Sequence, residues 1–322
     1  MLTAVLAPVA MAGAAAAPAQ AAQAVPARAT QGVAAACQHT FVPAYAWSSA
    51  FWDGAIDSRP APAVIILDIT GVGAGTAPEP HFQALVAKAH AAGIDILGYS
   101  STEYGQRPSA QVEADVRNYL AWYHVNGMFL DLTASDTGQL GYYQNLASYI
   151  HATIPQSRIW LNPGDFPAQG YMSVGDVVMV FEGSYAGYRQ LQVPGWVSRY
   201  DPSRFVNVVY ATSGPDLASA VSLAASRRAG YLFVTDLPAS PNPYRALPSY
   251  WSREVAAVAA GCSTAASPDS GSSPTVGSIV ARSNLISGQD RVTAHREGWN
   301  NAPRRPPPRP PGTRGQARPA GR

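Results

Sequence analysis

Short apolar runs recur along the middle of the chain and predict strands. Most of these runs are continuously apolar instead of alternating with polar residues, which is typical of strands buried on both faces of a sheet. Turn residues separate each run from the stretch that follows it. Eight runs span residues 41–45, 63–70, 94–100, 127–133, 158–162, 176–182, 205–211 and 230–236.

Stretches with helical periodicity lie between many of these runs. Residues 109–124 follow Pro108 and repeat apolar side chains at the spacing of an amphipathic helix. Gly93 and Gly230 stand where glycine commonly ends a helix. The same pattern predicts further helices over residues 81–92, 140–154, 215–229 and 250–261.

The alternation of strand and helix decides the expected fold class. Eight strand–helix units predict an α/β fold closed into a (β/α)8 TIM barrel. The alternative is an open, doubly wound sheet, which normally carries a glycine-rich phosphate turn after its first strand. Residues 45–48 contain no glycine. We therefore favour the closed barrel.

Composition divides the 322 residues into four parts. Residues 1–24 resemble a signal peptide, although no Lys or Arg precedes the apolar run, and 25–36 read as a disordered leader. Residues 37–262 form the expected barrel, and 263–322 a disordered tail that is Ser/Gly-rich and then Pro/Arg-rich. We expect a secreted protein, extracellular or associated with the cell surface. The alternative to a signal peptide is a disordered Ala/Pro-rich leader. For the tail, the two interpretations are a solvated segment and a basic segment that contacts an anionic cell surface.

The charge is distributed unevenly along the chain. The tail holds nine of the 22 basic and three of the 20 acidic residues, which leaves thirteen basic and seventeen acidic residues before it. A mildly acidic folded part has no nucleic-acid footprint. The leader is too short and too rich in Ala and Pro for a membrane span. We expect a monomer without a cofactor.

The only two cysteines, Cys37 and Cys262, stand at the edges of the expected barrel. In an exported protein this placement predicts a disulfide between the first strand and the last helix, because a closed barrel brings these elements together. Two unpaired thiols are the alternative. One cysteine pair excludes a cysteine-based metal site, and the six histidines show no metal-ligand spacing.

Residues at the C-terminal ends of barrel strands face the active site. Four carboxylates close apolar runs there: Asp68, Asp131, Glu182 and Asp236. A carboxylate in that position is costly unless it is paired or faces a wet cleft, so we predict an acidic cleft. Capping of the following helix is the alternative, most strongly for Asp236. The expected substrate-binding residues are Tyr45, Trp47, Asp68, Tyr99, Glu103, Tyr104, Arg107, Asn162, Tyr210 and Asp236.

Paired carboxylates beside aromatic rings fit the cleavage of glycosidic bonds. One carboxyl group protonates the leaving oxygen, and the other attacks the anomeric carbon or activates water. Aromatic rings offer flat surfaces to sugars, although a tyrosine at a strand end also commonly fills the core. The candidate rings are Tyr45, Trp47, Tyr99, Tyr104, Tyr185 and Tyr188.

Several short motifs, at residues 96–99, 103–107, 126–131, 161–164 and 176–182, resemble the spherulin-4 (spherulation-specific family 4) proteins over roughly 40–260. The resemblance implies an endo-acting hydrolase of α-1,4-linked galactosamine polymers on a (β/α)8 fold. It also implies Asp131 as nucleophile or charge stabiliser and Glu182 as general acid/base, or the reverse.

Two positions depart from the family pattern. Leu132 stands where the family usually carries a second acid, and Asp68 where it often has Asn. The main hypothesis is a secreted glycoside hydrolase that cleaves an amino-sugar exopolysaccharide. The alternatives are a weak or inactive barrel that binds extracellular polysaccharide, and a structural wall protein with a filled mouth.

Overall fold

Eight parallel strands close into a barrel in chain order in the computed structural model, which describes residues 37–263. β8 pairs with β1 and completes the sheet. The predicted (β/α)8 barrel is therefore confirmed. The strands are β1 (His39–Ala44), β2 (Val64–Leu67), β3 (Asp95–Ser101), β4 (Gly127–Asp131), β5 (Arg158–Leu161), β6 (Val177–Ser184), β7 (Phe205–Tyr210) and β8 (Tyr231–Val234).

Seven α-helices follow the strands, and five of them were predicted. They are α1 (Ser49–Ile56), α2 (Pro80–Ala91), α3 (Ser109–Tyr123), α4 (Leu140–Thr153), α5 (Tyr185–Arg189), α6 (Leu217–Ser226) and α7 (Trp251–Ser263). The short helices α1 and α5 were not expected. β5 and β6 are joined by a 3-10 turn, Gln169–Ser173, in place of an α-helix. The strict eightfold alternation was therefore wrong at this connection.

The predicted helix ends at Gly93 and Gly230 have different outcomes. Gly93 has φ +77° directly after the last residues of α2, as a helix-ending glycine should. α6 ends at Ser226, and Arg228 takes the left-handed conformation with φ 64°. A Cβ at Gly230 would lie 2.5 Å from the carbonyl oxygen of Pro202, so this glycine permits a close backbone approach instead.

Aromatic side chains fill the inside of the barrel. Phe41 of β1 contacts Trp160 of β5 at a ring distance of 5.4 Å and Phe233 of β8 at 6.2 Å. Because β1 and β5 lie on opposite sides of the closed sheet, these rings meet inside it. The interior is thus a packed core, and chemistry is left to the C-terminal mouth.

Several predictions fall outside the described residues. The signal peptide over 1–24, the leader over 25–36 and nearly all of the 263–322 tail stay predictions. α7 packs against β1, but the side chain of Cys262 is not described, so its disulfide with Cys37 also stays a prediction. Within residues 37–263, each helix is too short or too polar to cross a bilayer.

Candidate active site

Two carboxylates meet at the C-terminal mouth of the barrel. Asp131 is the last residue of β4, Glu182 lies in β6, and Asn162 directly follows β5 between them. The Asn162 Nδ2 donates to Asp131 Oδ1 at 2.7 Å and to Glu182 Oε2 at 2.9 Å. Both oxygens lie within 2.9 Å of one nitrogen, so they are less than twice that distance apart. The structure thus brings the two predicted catalytic acids together.

Two buried phenols donate to the remaining carboxylate oxygens. Tyr99 of β3 donates to Asp131 Oδ2 at 2.7 Å, and Tyr244 donates to Glu182 Oε1 at 2.7 Å. Burial, and then the charge of Asp131, raise the pKa of Tyr99 well above its ordinary value. The Tyr99 phenol therefore keeps its proton and remains a donor over the whole working range of pH.

Tyr45, just beyond β1, joins the two phenols. Its ring meets the ring of Tyr99 edge-on at 5.6 Å and that of Tyr244 at 5.1 Å. These ring contacts and the hydrogen bonds above connect six residues in a closed series. We call this set the site ring: Tyr45, Tyr99, Asp131, Asn162, Glu182 and Tyr244.

Sequence reasoning found five members of the site ring and missed Tyr244. Tyr244 lies ten residues beyond β8, in the connection to α7, so it does not stand at a strand end. The one signal that pointed to it is the length of that connection, because long barrel loops without secondary structure are usually functional.

A β-bulge aims Glu182. The ladder between β6 and β7 shifts register between Met179 and Phe181, immediately before Glu182. Bulges of this kind re-aim side chains next to active sites. Beyond the bulge, the Glu182 amide donates to the carbonyl oxygen of Gly164 at 3.1 Å, which links β6 to the loop that follows β5.

The backbone around Asp131 is held in an unusual conformation. Leu132 has φ 49°, and in the facing turn Glu103 and Tyr104 have φ 49° and 58°. The two turns are joined by the Tyr104 amide, which donates to the Leu132 carbonyl at 2.6 Å. The hydroxyl of Thr102 lies 2.9 Å from that oxygen and from the carbonyl oxygen of Asp131. Non-glycine residues with positive φ cluster at functional sites, where the surrounding structure holds them.

The two acids differ in exposure. Asp131 is only 2% exposed and lies on the floor of the mouth. Glu182 is half-buried, so it is the acid closer to solvent. Asn162, between them, is buried, and its Oδ1 accepts no hydrogen bond within the described structure.

Asp68 and Asp236 hold loops near the mouth. Asp68 Oδ1 accepts from the Gly71 amide at 2.7 Å, and Asp236 Oδ1 accepts from the Ser249 amide at 3.1 Å. Neither amide belongs to a helix, because α2 starts at Pro80 and α7 at Trp251, so these bonds brace loops and are not the helix caps of the alternative interpretation. The acidic cleft formed by all four strand-end carboxylates stays a prediction.

Arg107 was predicted to contact the substrate, but the structure places its guanidinium in a buried ion pair. Arg107 Nη1 lies 2.8 Å from Asp115 Oδ2 and donates to the carbonyl oxygen of Val72 at 3.1 Å. Asp115 Oδ1 accepts from the Ala74 amide at 3.1 Å. This Arg107–Asp115 clamp fixes the loop after β2 to α3, which is a structural role.

The remaining predicted aromatic residues divide into rim and core. Trp47 and Tyr104 are 42% and 40% exposed on the rim, and Trp47 stacks on His81 with an angle of 3° between the planes. Tyr188 is fully buried and its hydroxyl accepts from Asn207, so it offers no face to a sugar. Tyr185 starts α5 and is half-buried.

Two further predicted binding residues stand at the mouth outside the site ring. Glu103 is exposed, and Tyr210 ends β7 in register with Ser184 of β6. Within residues 37–263, no three His, Cys, Asp or Glu side chains are grouped so that they could hold a metal ion.

Fold and site together define a (β/α)8 barrel with a linked carboxylate pair at its mouth. The sequence profile of the spherulation-specific family 4 matches residues 40–258. The chain therefore belongs to this family.

One relative is similar in sequence, and one solved structure is similar in fold. Spherulin-4 of Physarum polycephalum is 29% identical over 231 residues, which cover 67% of this chain and 69% of that protein. The crystal structure of Aspergillus clavatus Sph3 in complex with GalNAc is similar in fold, with a TM-score of 0.62 and 23% sequence identity. The match covers 70% of this chain and 98% of that one.

Proposed function

We propose that this protein is a secreted glycoside hydrolase that cleaves an amino-sugar polymer with Asp131 and Glu182. The observation that carries the proposal is the shared Asn162 nitrogen, which holds one oxygen of each acid within 2.9 Å. Hydrolysis of a glycosidic bond by this route needs two carboxyl groups that flank the bond.

The spacing favours a double-displacement reaction. Retaining enzymes hold their carboxyl groups about 5–5.5 Å apart, whereas inverting enzymes separate them by about 6.5–9.5 Å to admit a water molecule. Two acids that share one amide donor fit the shorter spacing. Asp131, on the floor, would attack the anomeric carbon and form a covalent glycosyl intermediate.

Glu182 would serve as the acid and then as the base. It would give a proton to the leaving-group oxygen and, in the second step, take a proton from the water that releases Asp131. Its greater exposure suits a group that must reach both the leaving sugar and water.

The substrate class rests on family membership and charge. The relative Sph3 was crystallised with GalNAc, which makes a galactosamine-type polymer the first candidate for this chain. The residues before the tail carry more acidic than basic side chains, and a partly deacetylated, cationic polymer would be attracted to such a surface.

A binding protein without hydrolytic activity is the second candidate. Leu132 stands where the family usually carries a second acid, and Asp131 is 2% exposed. Both observations favour a barrel that holds polysaccharide without cleaving it.

The test is release of reducing ends from galactosamine-rich polymer by the full chain. We expect Asp131→Asn and Glu182→Gln each to lower the rate by about 10²–10⁴-fold. Asp216→Asn removes a mouth-side carboxylate outside the site ring and should leave the rate unchanged. If the unmodified protein releases no more ends than the two active-site variants, the hydrolase proposal fails, and retention on immobilised polymer would then support the binding protein.

A further inference from the structure

Tyr244 is the member of the site ring that the strand-end pattern did not identify. We infer that it is a positioning residue for Glu182, which sets the orientation of that carboxyl group. The inference rests on the proposed function for its catalytic meaning, but the contact itself does not depend on it.

The loop that carries Tyr244 meets the barrel through packing and through a phenol. Leu247 packs against the hydrophobic core. Among the hydrogen bonds described for residues 238–247, that of the Tyr244 phenol reaches the barrel, and the others join Asn242 to the Tyr244 amide and to the Arg245 guanidinium. The phenol of Tyr244 therefore links this loop directly to the site.

Packing fixes the direction of the phenol. The Tyr244 ring lies edge-on to Tyr45 at 5.1 Å and tilted against Phe233 at 6.3 Å, and the residue is 4% exposed. Phe233 belongs to the packed barrel interior and Tyr45 follows β1 directly. A ring wedged between two such neighbours keeps its hydroxyl aimed at Glu182 Oε1.

Tyr244 and Asn162 together define the plane of the Glu182 carboxyl group. Tyr244 donates to Oε1 at 2.7 Å and Asn162 donates to Oε2 at 2.9 Å. Asn162 also serves Asp131, so it cannot orient Glu182 independently of the other acid. Tyr244 donates to the other oxygen of Glu182.

The bond has a chemical consequence for the reaction. An acid/base residue must face first the leaving-group oxygen and then the attacking water in the correct geometry. Removal of the phenol hydroxyl should therefore loosen the orientation of the Glu182 carboxyl group and lower the rate of the chemical step.

The first test uses Tyr244→Phe, which keeps the ring and its packing but removes the donor. We expect a loss of kcat on the order of tenfold with little change in KM, as for a hydrogen bond to a charged group.

The matched control is Tyr250→Phe. Tyr250 is another buried tyrosine of the same connection, and its hydroxyl donates to the Thr212 carbonyl at 3.0 Å, away from the site ring. This variant should leave kcat and KM unchanged. An equal loss of kcat in both variants would assign the effect to general loosening and overturn the inference.

The second test needs no substrate and separates the inference from the proposed function. The side-chain carboxyl carbon of Glu182 is observed by NMR at one fixed pH in the full chain, with Glu182→Gln to identify the signal. We expect its chemical shift to change in Tyr244→Phe, which loses the donor to Oε1, and to stay unchanged in Tyr250→Phe. An unchanged signal in Tyr244→Phe overturns the inference even if the protein is an active hydrolase. A changed signal in Tyr244→Phe alone supports it even if no polymer is cleaved.

Discussion

Two groups of buried charges lie near the C-terminal mouth of this barrel, and they are built in opposite ways. The Arg107–Asp115 clamp pairs a cation with an anion at 2.8 Å. The site ring instead brings two acids to one amide nitrogen and holds them with neutral donors from Tyr99, Asn162 and Tyr244. Since opposite charges stabilise each other and two neighbouring acids do not, we expect the clamp to serve the fold and the ring to serve the proposed reaction.

Removal of an acid from the site ring should give the largest effect on activity and little effect on stability. Asp131→Asn takes away one of two like charges while the amide can still meet Asn162 and Tyr99. We expect hydrolysis to fall by about 10²–10⁴-fold and the urea midpoint to stay the same or rise. If Asp131→Asn loses activity only because it unfolds, then the site ring and the clamp do not differ in their effects on stability and activity.

Removal of one partner of the Arg107–Asp115 clamp should have its main effect on stability instead of activity. Arg107→Met leaves Asp115 buried without its cation, which should lower the free energy of unfolding by about 3–5 kcal/mol. Arg117→Met is the control, because Arg117 is on α3 with Asp115 and its guanidinium donates to the Tyr149 hydroxyl at an exposed position. This substitution should lower the free energy of unfolding by less than about 1 kcal/mol. Equal losses in the two variants, measured by urea denaturation, would show that the clamp has no special role.

A smaller loss is expected where the clamp meets the loop after β2. A Cβ at Gly73 would lie 2.1 Å from Asp115 Oδ2, so Gly73→Ala must push the carboxylate or the loop aside. We expect a cost of about 1–3 kcal/mol in the same denaturation assay, as for other overpacked sites. Gly141→Ala, which has no atom near the added Cβ, should not destabilise the protein.

Glu254 provides a third kind of buried acid, and its effect should depend on pH. It is fully buried in α7, where its Oε1 accepts only from the Val234 amide at 2.7 Å. Burial, and then the nearby charge of Asp236, raise the pKa of Glu254 well above its ordinary value. The native protein therefore binds a proton that the unfolded chain releases near pH 4.5, and stability is lost as pH rises above that value.

Glu254→Gln removes this dependence because the amide does not titrate. The variant and the unmodified protein should be equally stable below about pH 4, and the variant should become the more stable one as pH rises. Thermal melts across the pH range check this. A constant difference at every pH would mean that Glu254 is ionised in the native state.

The barrel and most of the site ring followed from local patterns. The carboxylates Asp131 and Glu182 close apolar runs, and the ends of parallel strands meet at one mouth. The bulge before Glu182 was not predictable, because it depends on how β6 pairs with β7 and not on the composition of either strand.

The roles of Arg107 and Tyr244 could not be predicted from the rule that residues at the C-terminal ends of barrel strands face the active site. Arg107 stands in the expected loop, but it pairs with Asp115 of α3, and both side chains bind backbone of the loop after β2. Tyr244 stands in a loop and reaches Glu182 because Tyr45 and Phe233 pack on either side of its ring. Both roles depend on tertiary contacts with elements distant in sequence, the loop after β2 for the clamp and β6 for Tyr244.

We propose that Asp131 and Glu182 act together on one glycosidic bond at the shorter carboxylate spacing. Proton NMR of the first products that the full chain forms from an amino-sugar oligosaccharide tests this proposal. We expect the new reducing end to appear first with the anomeric configuration of the bond that was cleaved. Products that first appear with the inverted configuration would rule out this reaction.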